Sequence, residues 1–387
     1  GNESLTFDCQ NTKIGVLICE DQWVDGPINQ VCKGNIDMVI SINASPFQLN
    51  KHSERVSICQ KYSLEFGISF VYINLVGGQD EVVFDGNSFV IDNQGELIFE
   101  MPAFEEVSLS YNDSSLKPTL TSDESSIYSA LVLATRDYIT KNSFGGALIG
   151  LSGGIDSALT LAIAVDAIGA ENVHAVMMPY EYTSEISLTD SEMQARTQGV
   201  HFSNIDIHNM VDSFNDSLSD LFENNSVDTT EENIQSRVRG TLLMALSNKH
   251  HKIVLATGNK SEMAVGYATL YGDMCGGFAP LKDISKSMVY KLSKYRNTIS
   301  EVIPSRVITR PPSAELAPDQ VDQDSLPPYD ILDDILKRFV EEKQSVSEII
   351  AHGHSPENVN KITSLILRNE YKRRQSAPGP KVSSNAF

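Results

Sequence analysis

The sequence has little of what membrane proteins, secreted proteins and nucleic-acid-binding proteins need. No apolar run approaches the ~20 residues that span a bilayer, and the first residues lack the basic and apolar regions of a signal peptide. Lysine and arginine number 30 against 51 aspartate and glutamate residues, for a formal net charge of −21. Because nucleic acids bind basic surfaces, this charge argues against a DNA or RNA partner. We therefore expect a cytoplasmic protein with neither a membrane nor a nucleic acid as partner.

Cysteine is scarce and shows no metal-site pattern. None of the five cysteines forms a Cys-x-x-Cys pair or has the spacing of zinc ligands, so we interpret them as reduced thiols of a cytosolic protein. They are Cys9, Cys19, Cys32, Cys59 and Cys275. The negative net charge also means that an anionic ligand has to be held by local groups and not by the field of the whole protein.

Length and composition divide the chain into two parts. A chain of 387 residues is long for one ordinary core, which favours two domains. Residues 108–126 are polar and rich in serine, as linkers are. We predict one domain over residues 1–110, a linker over 111–126 and a second domain over 127–387. The first region carries strand-like runs at 13–19, 37–45 and 68–77, a helical pattern at 51–67 and a hairpin pattern at 87–102.

From residue 145 onward, apolar strand-like runs alternate with helical patterns. Such alternation is typical of an α/β fold with a doubly wound parallel sheet. Ligands of these sheets bind beyond the carboxyl ends of the strands, so the loops after Leu151, Pro179 and Ala256 are the candidate positions. The proline-rich, acidic stretch at 304–330 is either a solvated loop or, as long loops often are, a functional one.

The stretch Leu-Ser-Gly-Gly-Ile-Asp-Ser at 151–157 has the composition of a phosphate-binding turn. Gly153 and Gly154 permit a close approach of backbone to a ligand, and the turn opens a helix whose first N–H groups favour an anion. The lysine of the common nucleoside-triphosphate loop is missing. Asp156 would repel phosphate unless a divalent cation bridges the two. The alternative is an ordinary helix cap with a permissive turn.

The motif Ser-Gly-Gly-Ile-Asp-Ser resembles the pyrophosphate loop of the ATP pyrophosphatases, which cleave ATP between its α- and β-phosphates and transfer AMP to an acceptor. The resemblance implies a Rossmann-like fold of the adenine nucleotide alpha-hydrolase type, with ATP contacts from this loop and from Thr257. The implied loop contacts are Gly150, Leu151, Ser152, Gly153, Gly154, Ile155, Asp156 and Ser157.

Residues 255–273 resemble one branch of that family, the NAD synthetases. The matching glutamate of the family lies beside metal and dinucleotide. The resemblance therefore implies that Asp156 and Glu262 share Mg²⁺, a cation that prefers oxygen ligands. From the residues alone, this stretch is equally compatible with a glycine turn and a helix capped by Ser261.

Candidate side chains for the acceptor come from the same resemblance. Asn233 and Arg237 lie four residues apart on one face of a predicted helix, as in the deamido-NAD site of NAD synthetases, whereas Arg239 points elsewhere. Glu262 and Lys372 are assigned to the same ligand, and Lys282 is a weaker candidate for a phosphate contact. A solvated helix surface and ordinary surface lysines are the alternatives.

The N-terminal region resembles part of the nitrilase and amidase superfamily, an α-β-β-α sandwich. In the stretch at 14–23, Cys19 ends a strand, where a thiolate could attack an amide carbonyl; a buried structural cysteine is the alternative. Ser45 and Lys51 match the glutamine site of the glutamine-using bacterial NAD synthetases. The catalytic glutamate and lysine of the family stand well upstream of the cysteine, and only eighteen residues precede Cys19. We therefore expect the first half of this domain to be absent from the sequence.

Residues 276–292 and 310–336 also resemble the glutamine-using branch, in which the long loop would close over the acceptor. Together the resemblances imply a ligase that adenylates the nicotinate carboxylate of deamido-NAD with ATP and then amidates it with ammonia from glutamine. Mg²⁺ is the implied cofactor, and a homodimer or larger homo-oligomer is the implied assembly. The alternatives are a synthetase that uses only free ammonia, another ATP pyrophosphatase such as GMP synthetase, and a scaffold protein with an inactive amidase remnant.

Overall fold

A computed structural model describes residues 4–110, 122–222, 226, 228–317, 320–324 and 326–387. The chain divides into two units, residues 1–133 and 134–387. Of the predicted linker, residues 111–121 lie outside the described residues, and residues 123–126 begin a long helix, α3 (Asp123–Lys141). The domain limits drawn from the sequence therefore stay a prediction.

Within its described residues, the first unit contains eight strands and two helices ahead of α3. In chain order they are β1 (Leu5–Cys9), β2 (Thr12–Ile18), α1 (Asp25–Cys32), β3 (Met38–Asn43), α2 (Lys51–Phe66), β4 (Ser69–Asn74), β5 (Val76–Gln79), β6 (Val82–Asp85), β7 (Phe89–Ile91) and β8 (Leu97–Glu100). The predicted runs at 13–19, 37–45, 51–67 and 68–77 and the hairpin at 87–102 are confirmed. The elements β1, α1 and the β5–β6 ribbon were not predicted.

The main sheet of the first unit has the strand order β1-β2-β3-β4-β7-β8. Strands β2, β3 and β4 are parallel. β1 pairs antiparallel with β2 at one edge, and at the other edge β7 pairs antiparallel with β4 and β8 antiparallel with β7. Because side chains alternate along a strand, one face carries residues such as Val39, Phe70 and Tyr72, which form a core with α1 and α2. The opposite face presents Ile42 and Ile73 to solvent.

A fully buried arginine fixes the loops at the carboxyl ends of these strands. Arg55, on α2, places Nη1 2.8 Å and 3.0 Å from the two carboxylate oxygens of Asp85. Its Nε donates to the hydroxyl of Ser45 at 3.1 Å, and its Nη2 donates to the carbonyl of Pro46 at 2.8 Å. Buried charges are stable only when paired and hydrogen-bonded, so this network holds the chain after β3 against the end of β6.

The second unit begins within α3 and contains the remaining elements. In chain order they are β9 (Ala147–Gly150), α4 (Ile155–Ile168), β10 (Val173–Met177), α5 (Glu185–Gln198), β11 (His201–Asn204), α6 (His208–Leu218), α7 (Thr229–His250), β12 (Ile253–Leu255), α8 (Lys260–Val265), α9 (Lys286–Ile299), α10 (Ser305–Thr309), α11 (Tyr329–Leu336), α12 (Val346–Ala351), α13 (Pro356–Arg368) and α14 (Glu370–Arg373). None of the helices in the described part of the chain is both long and apolar enough to cross a bilayer.

The predicted parallel α/β sheet is confirmed in the second unit. Its strand order is β11-β10-β9-β12, and every neighbouring pair is parallel. Helices α4 and α5 pack on one face, and α6 and α7 pack on the other around Leu148, Val176 and Val254. After β9 the chain continues to β10 on one side of β9, and the later strand β12 lies on the other side of β9. The crevice between the carboxyl ends of β9 and β12 is thus a topological switch point, where ligands of such sheets bind.

A helical layer follows the sheet in sequence. Helices α8, α11, α12 and α13 share a core that includes Val265, Leu332, Ile335, Val359 and Ile362. This layer matters for the site because α8 follows β12 directly and its first turn enters the crevice.

Candidate active site

The turn between β9 and α4 is shaped by its two serines. The hydroxyl of Ser152 accepts a hydrogen bond from the Gly154 N–H at 3.2 Å and lies 3.1 Å from the hydroxyl of Ser157. The Ser157 hydroxyl accepts from the Ser152 N–H at 3.2 Å and donates to the Gly154 carbonyl at 3.0 Å. These bonds close the turn on itself in front of the N-terminus of α4, where helix N–H groups favour an anion.

Gly153 is required by this geometry. Its φ of +78° lies in the left-handed region, and a Cβ there would meet the Cα and the carbonyl oxygen of Ser187 at 2.7 Å. Gly154 differs: its φ is −84°, and a Cβ would meet only the Ser152 hydroxyl, at 3.3 Å. One glycine of the pair therefore serves the backbone conformation, and the other leaves open space beside the turn.

The structure brings Asp156 and Glu262 together, with a lysine between them. Asp156 lies in the first turn of α4 and Glu262 in the first turn of α8. The buried Lys286 places Nζ 2.6 Å from Asp156 Oδ2 and 2.9 Å from Glu262 Oε1. Asn259 completes the group, since its amide donates to Asp156 Oδ1 at 2.8 Å while its carbonyl oxygen accepts from the Glu262 N–H. Asn259, and not Ser261, is thus the cap of α8.

Burial and charge act against each other at this centre. Burial raises the pKa of Glu262, and the adjacent Asp156 adds to the rise, whereas Lys286 opposes it. Burial alone would lower the pKa of Lys286, but the two carboxylates raise it well above its ordinary value. The lysine therefore stays cationic and neutralises part of the negative charge that the two carboxylates bring together.

A cavity of about 280 Å³ opens beside this centre. Of the residues predicted to contact ATP, all except Gly153 line it, and Thr257 after β12 is among them. Lys282, a weaker candidate, also lines the cavity and donates to the Ala377 carbonyl at 2.9 Å. The positions chosen from the sequence for ATP thus converge on one space at the switch point.

Arg239 was not predicted as a site residue, yet it lines this cavity. Its Nε donates to the Met178 carbonyl at 3.0 Å, and burial lowers its pKa to about 10. The sequence indicated correctly that Arg239 lies on a different face of α7 from Asn233 and Arg237. It did not indicate which of the two faces is turned to the cavity.

Asn233, Arg237 and Lys372 gather at the segment that follows α8, outside the lining of the cavity. The side-chain oxygen Oδ1 of Asn233 accepts from the Thr269 hydroxyl at 2.7 Å. Arg237 Nε donates to the backbone carbonyl of Leu270 at 3.2 Å. Lys372 Nζ donates to the carbonyls of residues 266 and 268 at 2.8 Å and 2.7 Å. The three candidates are thus neighbours of one backbone segment, and their assignment to deamido-NAD stays a prediction.

The proline-rich stretch after α10 folds over the phosphate turn. Arg310 Nη2 donates to the Gly153 carbonyl at 2.6 Å and to the Ser187 hydroxyl at 2.9 Å. Glu315 accepts from the hydroxyls of Ser184 and Ser187 at 2.8 Å and 2.7 Å, at the start of α5. Residues 310–316 line the cavity. Of the two interpretations drawn from the sequence, a solvated loop and a functional one, the described residues favour the second.

Asp322, farther along the same stretch, is a further buried carboxylate in the cavity lining. It accepts from the Tyr329 hydroxyl at 2.8 Å. Burial raises its pKa, although the hydrogen bond from Tyr329 opposes the rise. Four residues of this site were not predicted: Asp322, Asn259, Lys286 and Arg310. Lys286 and Arg310 contact residues 130 and 157 positions away along the chain. Asn259, in contrast, caps a helix three residues before Glu262, a local pattern from which it could have been recognised.

In the first unit, Cys19 follows β2 directly and has a φ of +47°. A positive φ is uncommon in a residue other than glycine. Strained conformations of this kind cost of the order of 1–3 kcal/mol and cluster at functional sites. Lys51 Nζ lies 4.1 Å from the centre of the Trp23 ring and 2.8 Å from Glu54 Oε2. The Ser45 hydroxyl, in contrast, accepts from Arg55 within the buried network. The assignment of Ser45 and Lys51 to glutamine stays a prediction.

The carboxylates of the second unit suit a magnesium ion that substrate helps to hold. Within the described residues, no group of three or more His, Cys, Asp or Glu side chains could hold a metal on its own. Mg²⁺ usually binds proteins through one or two carboxylates, completed by water and phosphate oxygens. Asp156 and Glu262 fit that donor set, and Lys286 shows that a cation is stable between them.

Comparisons with known proteins show which families the two parts of the chain resemble. A carbon-nitrogen hydrolase family model matches residues 1–116, and an NAD synthase family model matches residues 127–376. A glutamine-dependent NAD(+) synthetase from Acinetobacter baylyi is 54% identical, over 100% of this chain and 73% of that protein. One from Xanthomonas campestris pv. campestris is 46% identical, over 100% and 72%. The solved structure of a glutamine-dependent NAD+ synthetase from Acinetobacter baumannii, in complex with ADP, is 48% identical with a TM-score of 0.77, over 100% and 73%.

Proposed function

This chain belongs to the family of glutamine-dependent NAD(+) synthetases, and from that premise we propose how its residues carry out the reaction. The enzyme is a carbon-nitrogen ligase that converts deamido-NAD to NAD with ATP. One observation supports the location of the chemistry above all others. The phosphate turn, Thr257, Asp156 and Glu262 come from distant parts of the sequence and meet at the carboxyl ends of β9 and β12.

The first step is an attack at the α-phosphorus of ATP. An oxygen of the nicotinate carboxylate forms a bond to that phosphorus, the bond to the bridging oxygen breaks, and pyrophosphate leaves. The closed turn of Ser152 and Ser157 and the N-terminus of α4 line the cavity and would bind the departing pyrophosphate. Positioned donors of this kind stabilise negative charge without reorganisation, which is the dominant contribution in phosphoryl and nucleotidyl transfer.

The second step converts the acyl-adenylate to the amide. The nitrogen of ammonia attacks the carbonyl carbon, the bond to the adenylate oxygen breaks, and AMP leaves while the nitrogen loses a proton. The segment at 310–316 contacts the phosphate turn and the start of α5, and in this proposal it would shield the intermediate from bulk water. The step needs no covalent bond to the protein in the second unit.

We propose that Asp156 and Glu262 hold Mg²⁺ together with the phosphates of ATP. The ion would neutralise charge that develops on the phosphate oxygens. Lys286 carries positive charge beside the same two carboxylates and would add to the neutralisation of the phosphate charge. We further propose that Asn233, Arg237 and Lys372 contact deamido-NAD and that the active species is a cytoplasmic homo-oligomer.

We propose that the ammonia comes from glutamine hydrolysed at Cys19. The strained backbone of Cys19 at the end of a parallel strand supports this role, because nucleophiles are commonly held on such sharp turns. The thiolate would attack the side-chain amide of glutamine and release ammonia, and water would then hydrolyse the thioester.

The proposal is tested by product analysis with two nitrogen donors. Purified protein is given deamido-NAD, ATP and Mg²⁺, once with ammonium and once with glutamine, and AMP and NAD are quantified. We expect equal amounts of AMP and NAD with ammonium, and loss of both products in Asp156→Ala. Cys19→Ala should abolish any glutamine-dependent activity and leave the ammonium reaction intact. A folded protein that yields neither product with ammonium would contradict the proposal.

A further inference from the structure

Glu262 and Lys286 each have a neighbouring serine in the sequence, and both serines donate hydrogen bonds to Asp333. Asp333 lies on α11, whose neighbouring residues Leu332 and Ile335 are part of the helical core. Its Oδ1 accepts from the hydroxyl of Ser261, which directly precedes Glu262. Its Oδ2 accepts from Ser287, which directly follows Lys286, through the N–H at 2.8 Å and the hydroxyl at 2.5 Å.

Contacts among the same residues hold the start of α9. The Lys286 N–H donates to the Ser261 hydroxyl at 2.9 Å, and the next N–H, that of Ser287, donates to Asp333. The first N–H groups of a helix have no partner within the helix, and a carboxylate there also interacts favourably with the helix dipole. Asp333 therefore accepts an N–H group in the first turn of α9, whose N-cap is Ser285, while it holds the first turn of α8 through Ser261.

We propose that Asp333 is a positioning residue for the adenylylation reaction. It contacts neither Glu262 nor Lys286, but it fixes the residue next to each of them and so sets the distance between the carboxylate and the ammonium. α11 supplies a rigid support, because the buried leucine and isoleucine beside Asp333 anchor the helix in the core. The inference rests on the proposed function, since it assigns the position of two groups that this function uses.

The required accuracy makes such a support necessary. The Lys286 ammonium lies within 3 Å of two carboxylates that belong to different helices, α4 and α8. Asn259 fixes Asp156 to the start of α8. Asp333 adds a second connection between α8 and α9, beside the bond from the Lys286 N–H to the Ser261 hydroxyl. These contacts together join the starts of three helices.

The test compares two aspartates on the same helix. Asp333→Asn removes the charge and one acceptor atom at nearly constant volume, and Asp330→Asn makes the same change at an exposed position of α11. We expect Asp333→Asn to lower kcat with ammonium, or to raise the Mg²⁺ concentration for half-maximal rate, by about 10–100-fold, as loss of outer partners of metal ligands does. The KM for deamido-NAD should change little. Asp330→Asn should stay close to the unmodified protein in all three quantities.

Two further measurements separate positioning from general stability. Titration with Mg²⁺ and a non-hydrolysable ATP analogue, followed by calorimetry, gives the fraction of competent sites and the affinity of those sites. Ser287→Ala removes one of the three hydrogen bonds and should show a smaller change in the same direction, with little additional effect in the Asp333→Asn background. Normal affinity and normal kcat in the folded fraction of Asp333→Asn would overturn the inference. An unmodified protein that forms no AMP would instead overturn the proposed function.

Discussion

The two adjacent glycines of the phosphate turn should differ sharply in their tolerance of a side chain. Gly153→Ala places a methyl group at a φ of +78°, which costs an L-residue about 1 kcal/mol or more. The methyl would also lie 2.7 Å from the backbone of Ser187, an overlap that typically costs a further 1–3 kcal/mol or so. We therefore expect the free energy of unfolding of the second unit to fall by about 2–4 kcal/mol.

Gly154→Ala is the matched control, because its φ of −84° is ordinary and its nearest neighbour is a hydroxyl at 3.3 Å. At a helix N-cap, alanine in place of glycine should cost less than about 1 kcal/mol. For a unit of this size each kcal/mol corresponds to roughly 2–4 °C in Tm, so Gly153→Ala should lower the Tm by roughly 4–16 °C. Urea titration and thermal unfolding of both variants measure the difference. Equal Tm values for the two variants would refute the reasoning.

Three other perturbations test separate parts of the structure. Lys286→Met leaves the carboxylates of Asp156 and Glu262 without their cation, so we expect the free energy of unfolding in EDTA to fall by about 3–5 kcal/mol. Added Mg²⁺ should restore part of this loss. An equal loss with and without Mg²⁺ would contradict the expectation. Arg55→Met leaves the buried Asp85 carboxylate without its cation and should destabilise the first unit by about 3–5 kcal/mol. The double variant Arg55→Met/Asp85→Asn should recover part of this loss. Urea titration that shows no recovery would contradict the role of the network. Burial, followed by nearby positive groups, lowers the pKa of His174 from 6.5 to about 4. The unfolded state then binds the proton first, so this residue contributes stability above pH 6.5 that is lost as the pH falls toward 4. Urea titrations at pH 6.5 and pH 4.5 measure how far the free energy of unfolding falls between the two. This fall should be about 1–3 kcal/mol smaller in His174→Gln than in the unmodified protein, and an equal fall in both would contradict the lowered pKa.

Local pattern sufficed for the parts of the site that are contiguous in sequence. The phosphate turn was predictable because its glycines, serines and aspartate follow a buried strand directly, and the alternation of strands with helices placed that turn at the carboxyl edge of a parallel sheet. Thr257 and Glu262, after β12, were assigned from the resemblance to NAD synthetases, because their local pattern alone also fitted a glycine turn and a capped helix. The hairpin strand β1 was missed, although the two residues of its turn, Gln10 and Asn11, both adopt positive φ as type I′ turns require.

The rest of the site depends on contacts that sequence periodicity does not contain. Lys286 is an ordinary lysine in the sequence, and only the fold shows that it is buried between a carboxylate 24 residues away and one 130 residues away. Helical spacing separated Arg239 from Asn233 and Arg237, but the choice of face depends on how α7 packs on the sheet. The role of Asp333 could not be predicted for the same reason, because Ser261 and Ser287, its two partners, lie on other helices.

The central claim is that the carboxylate of deamido-NAD is activated by transfer of AMP from ATP, at the turn between β9 and α4. It is tested most directly with deamido-NAD carrying ¹⁸O in both carboxylate oxygens, together with ATP, Mg²⁺ and ammonium. The account predicts that AMP acquires one ¹⁸O atom, that NAD retains the other, and that pyrophosphate carries none. Appearance of ¹⁸O in inorganic phosphate with formation of ADP would show attack at the γ-phosphorus and would contradict the account.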